Sequence, residues 1–208
     1  CEFFMRDYYR HTRAIYTHST SLMEYFEIET QDQPNKGILG IIPFTKKKPK
    51  TVKFDGFISR NGRIFLQDKN ALEEDPNRVM RLFQHCQLRN LGLSPEARKY
   101  LHIAAKEIDR SFRYNAKNRE TFRAILERKG EVARILRLMH RTKVLDNYLP
   151  EFGAMDCLVQ HEFFHRYTAD EHTLRCIDML DSLTDELDEQ DPGRKLYRQL
   201  LHNVEDPY

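Results

Sequence analysis

Apolar residues recur along the first thirty positions in steps of four and seven: Phe4, Tyr8, Ile15, Leu22 and Phe26 share one helical face, and the other face is polar. The spacing predicts a long amphipathic helix over residues 3 to 27. Periodicity is lost from 29 to 51, where Pro34, Gly37, Gly40, Pro43 and the basic run KKKPK at 46 to 50 read as a loop. Next, VKFDGFI and RIFLQ flank SRNG. Asn61-Gly62 suits the positive φ angles of a tight turn, so residues 52 to 67 predict two short antiparallel strands.

Beyond Asp75 the punctuation is helical. Asp75-Pro76 opens a helix carrying Val79, Met80, Leu82 and Phe83, and Ser94-Pro95-Glu96 opens another that runs through Leu101, Ala105, Ile108 and Phe112. Asn118 is the expected cap of a third, with Phe122, Ile125 and Leu126 inside and Gly130 at its end. A fourth carries Val132, Ile135, Leu136 and Met139 until VLDNYLPEFG breaks the pattern at Pro150 and Gly153. A fifth is expected from about 153 to 166. A Thr168–Glu171 capping box starts a sixth, and a seventh covers 193 to 203 after Asp191-Pro192. The expected architecture is mainly α: a helical bundle of roughly seven helices that bury their stripes against one another, with one small β-hairpin at about 52–67.

Composition narrows the classes. An apolar fraction of 40% over 208 residues is enough for a core. With 34 Lys and Arg against 32 Asp and Glu, no global field marks a nucleic-acid or membrane-surface binder. The basic-aromatic start FFMRDYYRHTR and the run KKKPK therefore read as a half-buried helix face and as solvated loop charge. Cys1, Cys86, Cys157 and Cys176 form no CxxC pair, which fits a reducing, cytoplasmic setting. No apolar run approaches the ~20 residues needed to span a bilayer. The chain opens inside a helical pattern and stops at EDPY, where Asp206-Pro207 looks like the start of another helix, so a piece of a longer protein is expected.

The densest chemistry is HEFFHRYTADEHTLRCIDML, residues 161 to 180. His161, Glu162 and His165 match HExxH, in which two histidines one turn apart bind zinc and the Glu activates a water; Glu186 or His172 would be a third ligand. Phe163 and Phe164 claim apolar faces there, and Tyr167-Thr168 ends the helix, which argues against a zinc peptidase. His172 follows in the first turn after Thr168, with Leu174, Ile177, Leu180 and Leu183 toward a core. It reads as a structural histidine or as a ligand whose partners lie elsewhere. There is neither a GxSxG elbow nor a glycine-rich phosphate loop. By its own residues the chain reads as non-catalytic, which leaves a stand-alone helical interaction module as a further reading.

VLDNYLPEFG and VQHEFFHRYTADEHTLR, between residues 144 and 175, resemble a signature of the bacterial PII-protein uridylyltransferase/uridylyl-removing enzymes, with Glu162 where Asp is more usual and Ala169 where Val is common. FMRDYYRHTRAI is similar to the helix after that family's nucleotidyltransferase domain, and DGFISRNGRIFLQD with the helix at Asp75-Pro76 resembles its hairpin and helical region. The resemblance implies a parent whose nucleotidyltransferase domain moves UMP from UTP to a tyrosine of the PII signal protein. It also implies an HD phosphohydrolase domain that removes the UMP, and C-terminal domains that sense glutamine. Residues 1–150 would be a helical domain after the nucleotidyltransferase, and 151–208 the opening helices of the HD domain. His172 matches the first histidine of the HD metal motif, whose partners would follow Tyr208. The metal, Mg or Mn, is implied for the intact parent, with no catalytic residue or bound cofactor in this chain.

Overall fold

The first helix extends beyond its expected end. In the computed structural model, which describes residues 2–32, 51–159, 167–184 and 192–208, α1 covers Glu2–Asp32. Its orientation departs from the amphipathic expectation. Phe4, Tyr8, Ile15, Leu22 and Phe26 are all exposed, whereas Arg6, Arg13, Thr17, Thr20 and Glu24 are half-buried. Polar anchors turn that face inward: Arg6 Nη2 donates to the Ala154 carbonyl at 2.9 Å, and Glu24 pairs with Arg98 and with Arg63 at 3.5 Å. The expected loop at 29–51 begins only after Asp32, and KKKPK lies outside the described residues.

The single expected hairpin is a three-stranded meander, β1 (Val52–Phe54), β2 (Phe57–Arg60) and β3 (Arg63–Leu66), with β4 (Gly92–Leu93) added parallel to β3. VKFDGFI is two strands because Asp55-Gly56, with φ of 46° and 79°, turns the chain as Asn61-Gly62 does at 50° and 72°. Arg81 holds the first turn with a two-pronged grip on Asp55, at 2.7 and 2.8 Å, and reaches Asp75 at 2.8 Å.

Local caps divide the expected helices into more pieces. Among the described residues the remaining ones are α2 (Ala71–Glu74), α3 (Arg78–Leu88), α4 (Pro95–Ala104), α5 (Arg110–Tyr114), α6 (Ala116–Leu126), α7 (Val132–Arg141), α8 (Val144–Tyr148), α9 (Pro150–Ala154), α10 (Ala169–Ser182) and α11 (Pro192–His202). Ser94 caps α4 as anticipated, its Oγ accepting from Ala97 N at 3.0 Å. The helix expected to continue through Phe112 breaks at Ile108, because Asp109 accepts from Phe112 N at 2.8 Å and starts α5. Asn115, accepting from Lys117 N at 2.9 Å, caps α6; Asn118, the expected cap, is buried and donates to the Phe112 carbonyl at 3.0 Å.

Gly153 does not end a helix but lies inside α9. The chain leaves helical geometry over 155–159 instead, with Cys157 at φ 55°, so the fifth helix does not form there; 160–166 lie outside the described residues. The Thr168–Glu171 box is not made. Thr168 occupies the N-cap position without a side-chain cap bond, and both Glu171 oxygens accept from Arg137 Nη1 at 2.9 Å.

One core joins these pieces: Phe57 and Ile64 of the sheet, Met80 and Phe83 of α3, Met139 of α7 and Leu174 of α10 are fully buried in the same cluster. Among the described residues, no helix is long and apolar enough to cross a membrane.

Candidate functional site

The last turn of α7 carries a polar residue on its core side. His140 follows Met139 and is buried. Lys143, at φ 63°, reverses the chain so that α8 returns Asp146 to the imidazole, with His140 Nδ1 2.6 Å from Asp146 Oδ1. On the other ring edge, Nε2 is 3.0 Å from Oδ2 of Asp170, the second residue of α10 and fully inaccessible to solvent. Asp156, in the turn after α9, accepts from Lys143 Nζ at 2.9 Å, and Lys143 also reaches Asp146 Oδ2 at 2.8 Å. Arg13, delivered by the inward face of α1, closes the cluster.

His140, Asp156 and Asp170 stand at the spacing of metal ligands, the one such group among the described residues. Arg13 Nη1 already fills that space. It lies 3.0 Å from His140 Nε2, 2.8 Å from Asp156 Oδ1 and 2.7 Å from Asp170 Oδ2, so a guanidinium nitrogen does the work of a cation. The chemistry of the cluster is therefore ion pairing. With His140 protonated, three cations (Arg13, His140 and Lys143) face three carboxylates (Asp146, Asp156 and Asp170), and buried charge is compensated.

The titration behaviour follows from this packing. Burial alone would lower the His140 pKa, but hydrogen bonds to Asp146 and Asp170 raise it above its ordinary value of 6.5. Burial alone would raise Asp170, yet His140 and Arg13 hold it far below its ordinary 3.8. Asp146 is lowered in the same way, against burial, by His140 and Lys143. Cys157, beside the cluster, is pushed up to about 11 chiefly by burial, so it stays a thiol.

A raised histidine stabilises the fold fully below 6.5 and loses that contribution as pH rises through its folded pKa. The lowered carboxylates stabilise fully above 3.8 and lose their contribution as pH falls. Thermal stability is therefore expected to peak between these two values. In a series of melts across pH, His140→Gln should flatten the alkaline limb, and an unchanged limb would refute the assignment.

His172, two residues beyond Asp170, is exposed on the first turn of α10. Its backbone N–H donates to the Thr168 carbonyl at 2.8 Å, and its Nε2 lies 3.8 Å from Cys176 Sγ. It is not part of the ion-pair cluster. His161, Glu162, His165 and Glu186 lie outside the described residues. Reading the pattern missed Arg13, His140, Asp146 and Asp156. His140 did leave a signal, a polar residue four positions after Leu136 on an apolar face. Arg13 left none, because its face reads as solvated.

Residues 57–148 match the family model of the uridylyltransferase GlnD third domain. Two proteins of Caulobacter vibrioides, strains NA1000 / CB15N and ATCC 19089 / CIP 103742 / CB 15, each named bifunctional uridylyltransferase/uridylyl-removing enzyme, are 31% identical to the chain over 179 residues. That alignment takes in 86% of this chain but only 19% of either relative, so the chain spans about a fifth of the curated relatives it matches. No solved structure matches significantly.

Proposed function

Since the chain belongs to the family of bifunctional uridylyltransferase/uridylyl-removing enzymes and is a fragment of such a protein, we propose that it forms the helical connector between the two activities of its parent and holds no complete active site. The parent would move UMP from UTP to the PII signal protein and remove it again, in the cytoplasm, under glutamine control exerted by its downstream domains.

The observation that carries this reading is the placement of His172. Asp170 is locked between Arg13 and His140 at 2.7 and 3.0 Å, and Glu171 is locked onto Arg137, so the first turn of α10 is fixed from both sides while the next residue, His172, faces outward. We assign His172 as the first metal ligand of the uridylyl-removing site. The group at metal spacing among the described residues, His140, Asp156 and Asp170, does not include His172 and is filled by Arg13. Mg or Mn bound with ligands from the rest of the parent would supply an activated water for phosphodiester hydrolysis. This chain's part is to hold the imidazole in place.

In the intact parent, His172→Ala is expected to lower release of UMP from uridylylated PII protein at least about tenfold and to leave uridylyl transfer unchanged. Equal loss of both activities, or of neither, would sink the assignment. The HExxH residues His161, Glu162 and His165 give a separate outcome: loss of stoichiometric zinc from the parent on His161→Ala would favour a zinc site instead.

A further inference from the structure

Helix α1 is joined to the domain by charge rather than by apolar packing. None of its described residues is buried, and none belongs to the core cluster. At one end Glu24 pairs with Arg98 of α4 and Arg63 of β3. At the other, Arg6, Arg10 and Arg13 stand about one turn apart on one face, and all three reach Asp156. Arg6 Nε donates to its carbonyl at 3.0 Å, Arg10 Nε lies 3.8 Å from Oδ2, and Arg13 Nη1 donates to Oδ1 at 2.8 Å. Arg13 goes further and meets Asp170 Oδ2, in the first turn of α10, at 2.7 Å.

Three side chains grip that turn. His140 and Arg137 hold Asp170 and Glu171 from α7, a helix fixed in the core by the fully buried Ile135 and Met139. Those bonds are as steady as the core. Arg13 holds Asp170 from a helix attached by partly exposed ion pairs, which are individually weak and weaken further in salt. When α1 lifts, Asp170 keeps its burial but loses one of the two cations that compensate it, and the turn is drawn toward water. His172, whose N–H donates to the Thr168 carbonyl at 2.8 Å, belongs to the same turn, and a metal ligand must be held within about 0.5 Å to serve. We infer that Arg13 is a positioning residue for uridylyl removal: it makes the order of the His172 turn depend on whether α1 is docked. The inference rests on the assignment of His172 as a ligand, and it adds a route by which a movement of α1 reaches that site.

In the intact parent, Arg13→Gln breaks the grip directly, and Glu24→Gln loosens α1 from its far end, about 16 Å away along the helix. Backbone amide exchange at residues 172 to 174 is expected to quicken at least about tenfold in Arg13→Gln and at least about threefold in Glu24→Gln, while the amides of α3 keep their rates. The manganese concentration for half-maximal release of UMP should rise about tenfold in Arg13→Gln, with release restored at saturating metal, because the ligand is loosened rather than lost. Equal quickening in α3 and α10, or a loss of release alike at every metal concentration, would mean that Arg13 only stabilises the fold. Quickening in Arg13→Gln with none in Glu24→Gln would overturn the dependence on α1, and an unchanged turn in Arg13→Gln would overturn the positioning role. His172→Ala with release intact would fail the proposed function, and the exchange pattern would then decide the tie between α1 and α10 by itself.

Discussion

Asp170→Ala is expected to destabilise the fold by about 3–5 kcal/mol, because it removes the buried anion shared by two cations. Asp170 has no solvent exposure, and Arg13 and His140 both donate to its Oδ2. Without that oxygen the buried His140 charge would face the half-buried Arg13 guanidinium with no anion between them, and His140 could not regain water without moving α7. Most of the cost is the charge left behind rather than the strength of the original pair. A second variant makes this distinction measurable: Arg13→Met combined with Asp170→Leu removes both signs and should recover much of the loss in a double-mutant cycle. A loss of unfolding free energy of less than about 1 kcal/mol for Asp170→Ala, measured by denaturant titration, would show that the cluster carries no structural weight. Local loosening should accompany the global effect, since Asp170 is in the turn that presents His172; backbone amide exchange at the start of α10 would record it.

Gly153→Ala should cost up to about 3 kcal/mol, although it adds a single carbon to a short helix. A Cβ at Gly153 would lie 2.5 Å from the carbonyl oxygen of Asp146 and 3.1 Å from its carbonyl carbon. The obstacle is backbone, which cannot swing aside as a side chain would, so α8 and α9 must separate. That separation pulls Asp146 away from His140 and Lys143. The melting temperature is therefore expected to fall, and the pH at which stability begins to drop on the alkaline side to move downward. A melting temperature equal to the parent's would show that the two helices have slack between them.

These two residues mark the limit of what was legible along the chain. Gly153 reads as a helix breaker, because glycine is costly within a helix and stands after Pro150. Its place inside α9 follows from a close approach that no local pattern records. Asp170 read as one acid among several near histidines, and its burial came into view only with Arg13 and His140 around it. By contrast, the caps at Ser94 and the turn at Asn61-Gly62 formed where they were expected, since both depend on bonds or dihedral angles within four residues. Asp55-Gly56 was equally legible and went unread inside an apolar run. His172 is proposed as a ligand from a family motif rather than from its surroundings.

By itself, the sequence determined the mainly helical class, a few of the helix starts such as Ser94, many apolar core residues beyond the first helix, and the family. All of these rest on local propensity, periodicity or motif. Tertiary structure alone decided which side of α1 turns inward and which acids meet which bases. Arg13 finds Asp156 across 143 residues and Asp170 farther still, and that pairing, not the apolar stripe, sets the helix against the domain. The physical reason is that periodicity identifies a face without saying what will cover it, whereas a carboxylate as buried as Asp170 cannot stay ionised in a core unless cations come to it.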